Sequence, residues 1–214
     1  MNIFETNLKF NGLRPRNRTS LIVLHHSASL DVGAAEIHRW HLERGWAGIG
    51  YHFVIRADGS IERGRLLETI GAHTGPGVNG YSIGICLVGN FMTAAPTDSQ
   101  IRALLELIGW LKNYYIVHSG SALDVKLHRE VAATECPGIL FPWEQIKPAL
   151  VGPEVNDKGG STVEDWKSKI MSQAKEAELI HDDHEPDDPA PKWFVLAVAL
   201  QILNNSKLGG KSIE

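Results

Sequence analysis

The chain has 214 residues, of which 43% are hydrophobic and 21% are charged, and its formal net charge at pH 7 is −4. The hydrophobic content excludes a chain that is disordered throughout, and the length suffices for one core of about 150 residues with a smaller appendage. The nearly balanced charge gives no electrostatic reason to expect a nucleic acid as partner, so we predict none.

The cysteine content and the apolar runs exclude two further classes of protein. Two cysteines, Cys86 and Cys136, are too few to staple a small disulfide-rich scaffold. No run approaches the roughly 18 apolar residues of a membrane span, so we predict no membrane insertion. Residues 1–12 lack the apolar core of a signal peptide, which predicts a chain made in the cytoplasm.

The first predicted elements are a strand and a helix. Residues 21–25 form a short apolar run, which is typical of a strand buried inside a sheet. Asp31 can cap the helix that follows. Three residues have the helical spacing of a buried face: Ile37, Trp40 and His41.

Residues 51–65 have the pattern of a β-hairpin, because two strand-like segments flank the turn dipeptide Asp-Gly at 58–59. Side chains alternate between the two faces of a strand. Alternation therefore predicts that Tyr51 shares one face of the sheet with Phe53 and Ile55.

The middle of the chain adds a loop, two strands and a long helix. Residues 71–80 contain four glycines and a proline, which predicts a loop, and residues 82–89 form another buried strand. Thr97 and Gln100 have the spacing of a capping box ahead of an amphipathic helix. A short strand then ends just before His128. This alternation predicts an α/β (α+β) fold with a central mixed β-sheet flanked by helices.

The end of the chain differs in composition. Residues 151–160 are rich in glycine and polar residues and are predicted as a linker that follows a domain at 1–150. Residues 161–214 hold two amphipathic helical patterns with an acidic, proline-rich loop between them. Two helices alone bury too little surface for a secure fold. We therefore predict a small C-terminal helical module that docks, dimerises or binds a partner.

Three residues far apart in the sequence offer donor atoms that zinc prefers. His25 ends the first apolar run, and His128 and Cys136 lie eight positions apart in the segment HREVAATEC. Two imidazoles and one thiolate leave the fourth position of a tetrahedral zinc ion open for water, as in catalytic sites. Taken alone, each residue also has a structural explanation, such as a hydrogen-bonded histidine at a strand end.

The motifs of the chain stand in a fixed order and together carry a family resemblance. They are HHSAS at 25–29, GYHFVIRADG at 50–59, GAHT with Asn79 and SIGICLVG within 71–89, and HREVAATECPG at 128–138. These segments resemble the zinc-dependent N-acetylmuramoyl-L-alanine amidases, a family that includes the amidase-type phage lysozymes and the animal peptidoglycan recognition proteins. The resemblance covers roughly residues 14–150, so it implies a zinc amidase catalytic domain at 1–150.

The resemblance implies roles for individual residues. It places one zinc ion per chain on His25, His128 and Cys136, and it assigns the catalytic tyrosine to Tyr51. Thr134 stands where some phage enzymes have a lysine and the recognition proteins have a threonine, so a hydroxyl group is expected to assist catalysis there. Two residues of the glycine-rich loop are expected to line the groove that binds the muramyl-peptide: His73 and Asn79.

The resemblance also implies an activity, the hydrolysis of the amide bond between N-acetylmuramic acid and L-alanine in bacterial peptidoglycan. A phage or prophage endolysin of this kind is made in the host cytoplasm and acts on the cell wall after release. Its C-terminal module is expected to target the wall or to form a homodimer. The alternative is a module that recognises peptidoglycan without cutting it, and Cys136 favours the enzyme because members that only bind tend to lack the metal-binding cysteine.

Overall fold

The computed structural model describes residues 2–151. These residues lie within the first of the two units into which the chain divides, Met1–Glu154. The predicted C-terminal module with its homodimer contact, and all but the first residue of the predicted linker, lie outside the described residues. Within residues 2–151, no helix combines the length and the apolar character needed to cross a bilayer.

Six strands form one mixed sheet at the centre of this unit. They are β1 (Ile3–Phe4), β2 (Leu21–His26), β3 (Phe53–Ile55), β4 (Ile61–Arg63), β5 (Ser82–Leu87) and β6 (Asp124–Leu127). Their order across the sheet is β1-β4-β3-β5-β2-β6. All neighbours run parallel except β3 and β4, which form the predicted antiparallel hairpin. The predicted mixed sheet is thereby confirmed.

Helices cover both faces of the sheet, as predicted. They are α1 (Ala34–Glu43), α2 (Pro76–Asn79), α3 (Asp98–Ser119) and α4 (Trp143–Val151). Side chains of α3 and α4 pack in the larger core, which includes Phe53 and Ile85 of the sheet. The smaller core joins α1 to Val54 and Val88 on the opposite face. The described residues thus form three layers, with the sheet between helices.

The central strands β2 and β5 are apolar along most of their length because both faces of the sheet are covered. All residues of β5 are buried, as are the first five of β2. Parallel pairing of β2 with β5 and β6 brings the carboxyl ends of these strands to one edge. In open α/β sheets, ligand sites form beyond the carboxyl ends of the strands. His25 lies at this edge.

The predicted capping box at the start of α3 is confirmed. Thr97 Oγ1 accepts a hydrogen bond from the Gln100 backbone N–H, and Gln100 Oε1 accepts one from the Thr97 N–H, each at 3.1 Å. The side-chain nitrogen of Gln100, Nε2, also donates to the backbone carbonyl oxygens of Ile55 and Val88. One side chain therefore caps the helix and ties it to the sheet.

The prediction that Asp31 caps α1 is wrong. The helix begins at Ala34, whose backbone N–H donates to Glu62 Oε2 of β4 at 2.5 Å. Asp31 instead accepts two hydrogen bonds from the guanidinium group of Arg56, at 2.9 and 3.0 Å. Charge-assisted pairs of this geometry are stronger than neutral hydrogen bonds. The carboxylate of Glu62, on strand β4, therefore interacts with the positive N-terminal end of α1 in place of Asp31.

The predicted face for Tyr51 is also wrong. Phe53 and Ile55 pack in the larger core. Tyr51 packs with Val54 on the other side of the sheet, where α1 lies. The carbonyl groups of two consecutive residues, Tyr51 and His52, both accept hydrogen bonds from the segment that follows β4. A regular antiparallel ladder uses alternate carbonyls toward one neighbour, so the side-chain alternation is broken at this point.

Candidate metal centre

Two adjacent parallel strands deliver the two histidines of the predicted metal site. β2 and β6 pair so that Leu24 lies beside Leu127. His25 and His128 are the next residues along each chain segment. Their ring centroids are 4.4 Å apart. Strand order therefore explains how two histidines that are distant in sequence become neighbours.

The third predicted ligand, Cys136, reaches the same point through a tight loop after β6. Within this loop the Arg129 N–H donates to the Cys136 carbonyl oxygen at 2.9 Å. Gly138 has a φ of +106°, and a Cβ there would lie 2.4 Å from the carbonyl carbon of Phe91. Glycine is therefore required for the close approach of the two backbones. The loop holds the Cys136 sulfur 3.9 Å from Nδ1 of His25.

The three side chains have the spacing and the donor atoms to hold one metal ion. The donor atoms of His25, His128 and Cys136 all lie within 4.8 Å of one another. Tetrahedral zinc has bonds of about 2.0–2.1 Å to nitrogen and about 2.3 Å to sulfur, which place the two donors about 3.6 Å apart. The 3.9 Å between His25 Nδ1 and Cys136 Sγ is close to this value. Two nitrogens and one sulfur suit zinc, whereas calcium and magnesium prefer oxygen ligands.

Burial keeps the imidazoles of this cluster uncharged, which is the state that binds metal. It lowers the pKa of His25 well below 6.5, and neighbouring histidines lower that pKa further. Burial also lowers the pKa of His128. The pKa of the Cys136 thiol is raised by burial to about 11. A bound cation would supply the positive charge that ionises this thiol.

The two predicted catalytic residues both lie near the metal cluster: Tyr51 lies beside the ligand His25, and Thr134 contacts the ligand Cys136. The ring of Tyr51 is 5.1 Å from that of His25, centroid to centroid. Burial raises the pKa of the Tyr51 phenol well above 10, and Cys86 and Cys136 raise it further. This hydroxyl is therefore protonated at neutral pH and can donate a hydrogen bond. Thr134 is exposed, and its Oγ1 accepts a hydrogen bond from the Cys136 N–H at 3.2 Å, which leaves the hydroxyl proton for another acceptor.

The two loop residues that were predicted to contact substrate are both buried and both line a groove beside the cluster. Asn79 Oδ1 accepts hydrogen bonds from the backbone N–H groups of His73 and Thr74 and from the Thr74 hydroxyl, each at 3.0 Å. These bonds close the loop on itself. His73 Nδ1 lies 3.0 Å from Nε2 of His25, so His73 contacts the metal cluster directly.

The groove has a volume of about 770 Å³, and the metal ligand His128 is one of the residues that line it. Its lining includes three arginines that the sequence analysis missed: Arg14, Arg44 and Arg65. They are scattered along the chain, and only the fold brings them to one groove. Trp46 is exposed and lines the same groove, so it is a wall of the groove and not a core residue. The three cations suit a ligand that carries carboxylates.

Comparison with known proteins decides the family. Residues 15–139 match the family model described as N-acetylmuramoyl-L-alanine amidase. The chain belongs to this family. A relative with high similarity is the endolysin of Klebsiella phage KP32, which is 42% identical over 140 residues that span 61% of this amidase and 89% of the endolysin.

Solved structures agree with this assignment. The N-acetylmuramoyl-L-alanine amidase LysC from Clostridium intestinale matches with a TM-score of 0.66 and 39% identity, covering 71% of this chain and 98% of LysC. Drosophila PGRP-LB matches with a TM-score of 0.62 and 27% identity, covering 73% of this chain and 98% of the other. The predicted family and enzyme class, a peptidoglycan amidase, are therefore confirmed.

Proposed function

We propose that this amidase binds one zinc ion through His25, His128 and Cys136 and hydrolyses the amide bond between N-acetylmuramic acid and L-alanine. The observation that carries the proposal is the convergence of the three donor atoms within 4.8 Å of one another, beside a groove. Three protein ligands leave one position of a tetrahedral ion for water, as catalytic zinc sites do.

The neighbouring hydroxyl groups are suited to stabilise negative charge during the reaction. When bound, zinc would lower the pKa of a coordinated water to about 7 and polarise the carbonyl group of the substrate. Tyr51, which is protonated, partly buried and part of the groove lining, donates a hydrogen bond to the carbonyl oxygen as charge develops on it. Thr134 supplies a second hydroxyl donor next to Cys136. One such donor is typically worth about 3 kcal/mol in the transition state.

The groove is proposed to hold the sugar and peptide on either side of the scissile bond. Arg14, Arg44 and Arg65 give it positive charge, which complements the carboxylates of a peptide. The exposed ring of Trp46 offers an apolar wall. Asn79, whose side chain closes the glycine-rich loop, is proposed to contact the substrate from the lining of the groove.

The relatives that are phage endolysins support a proposal about the biological setting. The enzyme would be made in the host cytoplasm and would act on the cell wall after release. Residues 161–214 would form a helical module that directs the catalytic domain to the wall, in preference to forming a homodimer. Truncation after Glu154, which keeps α4 whole, should preserve hydrolysis of soluble muropeptides and weaken attack on intact walls. Loss of both activities would contradict this division of the chain.

Digestion of purified peptidoglycan tests the reaction itself. We expect new amino termini on L-alanine and no new reducing sugar ends, because only the amide bond is cut. Cys136→Ala should abolish this release while leaving the chain folded. New reducing ends would indicate a glycosidase, and binding without release would indicate a recognition module; either result would contradict the proposal.

A further inference from the structure

The ring of His73 joins the metal cluster to the glycine-rich loop through a series of hydrogen bonds. Its Nδ1 lies 3.0 Å from Nε2 of His25, and its Nε2 lies 3.4 Å from the hydroxyl oxygen of Ser82. The Ser82 hydroxyl donates to the carbonyl oxygen of Val78 at 2.8 Å. The two imidazole rings are nearly perpendicular, with 87° between their planes.

The protons of this series have one consistent arrangement. Nδ1 of His25 is the ring nitrogen that faces the Cys136 sulfur, so its lone pair is the one available to a metal. A neutral His25 then carries its proton on Nε2 and donates it to Nδ1 of His73. A neutral His73 carries its own proton on Nε2, facing the Ser82 oxygen, and the Ser82 proton goes to Val78. Each group along the series then acts once as a donor toward the next.

The position of the His73 ring is built into the sheet and the loop. A Cβ at Gly84 of β5 would lie 2.6 Å from the His73 Cδ2 atom, and a Cβ at Gly71 would lie 2.5 Å from the same atom. Both contacts are too short for a real Cβ, so two glycines make the space that the ring occupies. Asn79 Oδ1 holds the backbone of His73 at 3.0 Å. The residue is only 8% exposed, so most of its surface contacts protein and not a ligand in the groove.

We propose that His73 is a positioning residue for the metal ligand His25 and acts through that residue more than through the substrate. By accepting the Nε2 proton it selects the tautomer of His25 that presents Nδ1 to the ion, and it restrains rotation of the ring. This inference rests on the zinc site of the proposed function. Removal of a hydrogen-bond partner of a metal-bound histidine typically lowers metal affinity about 10- to 100-fold.

The test measures zinc affinity separately from catalysis. Metal-free wild type, His73→Ala and His73→Asn are titrated with zinc in competition with a chromophoric chelator, after circular dichroism has shown that each is folded. We expect His73→Ala to bind zinc about 10- to 100-fold more weakly. His73→Asn should recover much of the affinity, because its side-chain carbonyl can accept the proton of His25 Nε2.

A second variant perturbs the ring without removing it. Gly84→Ala places a methyl group where the His73 ring now lies, so it should also weaken zinc binding. Gly109→Ala is the matched control, because a Cβ there meets nothing within 4 Å, and it should keep the wild-type affinity. If His73→Ala fails to fold, the order of affinities among wild type, Gly84→Ala and Gly109→Ala decides the question.

Two results would overturn the inference in distinguishable ways. Wild-type zinc affinity in both His73→Ala and Gly84→Ala, with a raised KM in the zinc-saturated His73→Ala enzyme, would make His73 a substrate contact and leave the proposed function intact. Failure of the wild type itself to bind zinc would remove the metal centre and the proposed function together.

Discussion

Acidification of the metal-free protein should destabilise it through buried imidazoles that are not metal ligands, and His52 is the clearest case. Its side chain is fully buried. Nδ1 accepts a hydrogen bond from the Gly84 N–H at 3.0 Å, and Nε2 lies 2.9 Å from the Thr69 carbonyl oxygen, so a neutral ring satisfies both nitrogens. The Arg16 guanidinium lies 2.9 Å from the same Nε2. Burial, followed by the charge of Arg16, holds the pKa of His52 well below 6.5.

The size of the effect follows from proton linkage. Below pH 6.5 the unfolded chain binds a proton at this imidazole and the folded protein does not, so the free energy of unfolding falls as pH falls. Between pH 8 and pH 5 the loss from His52 alone is about 2 kcal/mol, if the folded protein stays unprotonated there. His41, whose pKa is lowered to about 4 chiefly by burial, changes stability in the same direction. A loss of this size is a large share of a typical domain's stability of about 5–15 kcal/mol.

Urea unfolding of the metal-free protein at pH 8, 6.5 and 5, in the presence of a chelator, measures this loss. His52→Gln is the comparison, because it keeps a neutral polar side chain but removes the titrating group. The variant will be less stable at pH 8, but its further loss on going to pH 5 should be about 2 kcal/mol smaller than that of the wild type. An identical pH dependence in the two proteins would refute the assignment of His52 as a buried neutral imidazole.

Two substitutions test the hydrogen-bond donor Tyr51 and the loop that holds the sulfur of Cys136. Tyr51→Phe should keep its zinc and lower kcat about 100- to 1,000-fold, which a muropeptide assay measures; an unchanged kcat would move the role of donor to another group. Gly138→Ala should weaken zinc binding and lower the melting temperature, because the new Cβ would meet the Phe91 backbone and disturb the loop of Cys136. Gly120→Ala is the control, because that residue also has a positive φ but a Cβ there meets nothing within 4 Å; it should lower the melting temperature through backbone strain and keep the wild-type zinc affinity. Wild-type zinc affinity in Gly138→Ala as well would contradict the role of the Phe91 contact.

Local signals made the central strands and the long helix predictable. A strand that is covered on both faces needs apolar residues throughout, so residues 21–25 and 82–89 are recognisable without knowledge of their neighbours. The capping box depends only on Thr97 and Gln100, which stand three positions apart and bond to each other. These features needed no information from distant parts of the chain.

Two errors arose where a distant partner overrode a local rule. Asp31 has the right position for a helix cap, but its carboxylate pairs with Arg56, a residue of the hairpin. Glu62, which does contact the helix end, comes from a strand that no local rule connects with α1. Tyr51 changes face because its backbone pairs irregularly with the segment after β4, and residue alternation contains no sign of this.

The candidate site depends on strand order more than on any local pattern. Nothing within β2 or β6 specifies that the two strands are neighbours, so the grouping of His25, His128 and Cys136 was expected from family resemblance and not from periodicity. The contact between His73 and His25 was not predicted, because the composition of residues 71–80 predicted only a loop and the family resemblance implied only that His73 lines the substrate groove. Such contacts become visible once the register of the sheet is known.

Zinc content per chain tests the central claim most directly. Elemental analysis of purified wild type should give about one zinc ion per chain, and Cys136→Ala and His128→Ala should each lose it. His118→Ala removes an exposed histidine of α3 and should retain the full amount, which controls for handling and for loss of any imidazole. Full zinc content in Cys136→Ala would contradict the shared site, because the ion would then be held without the sulfur.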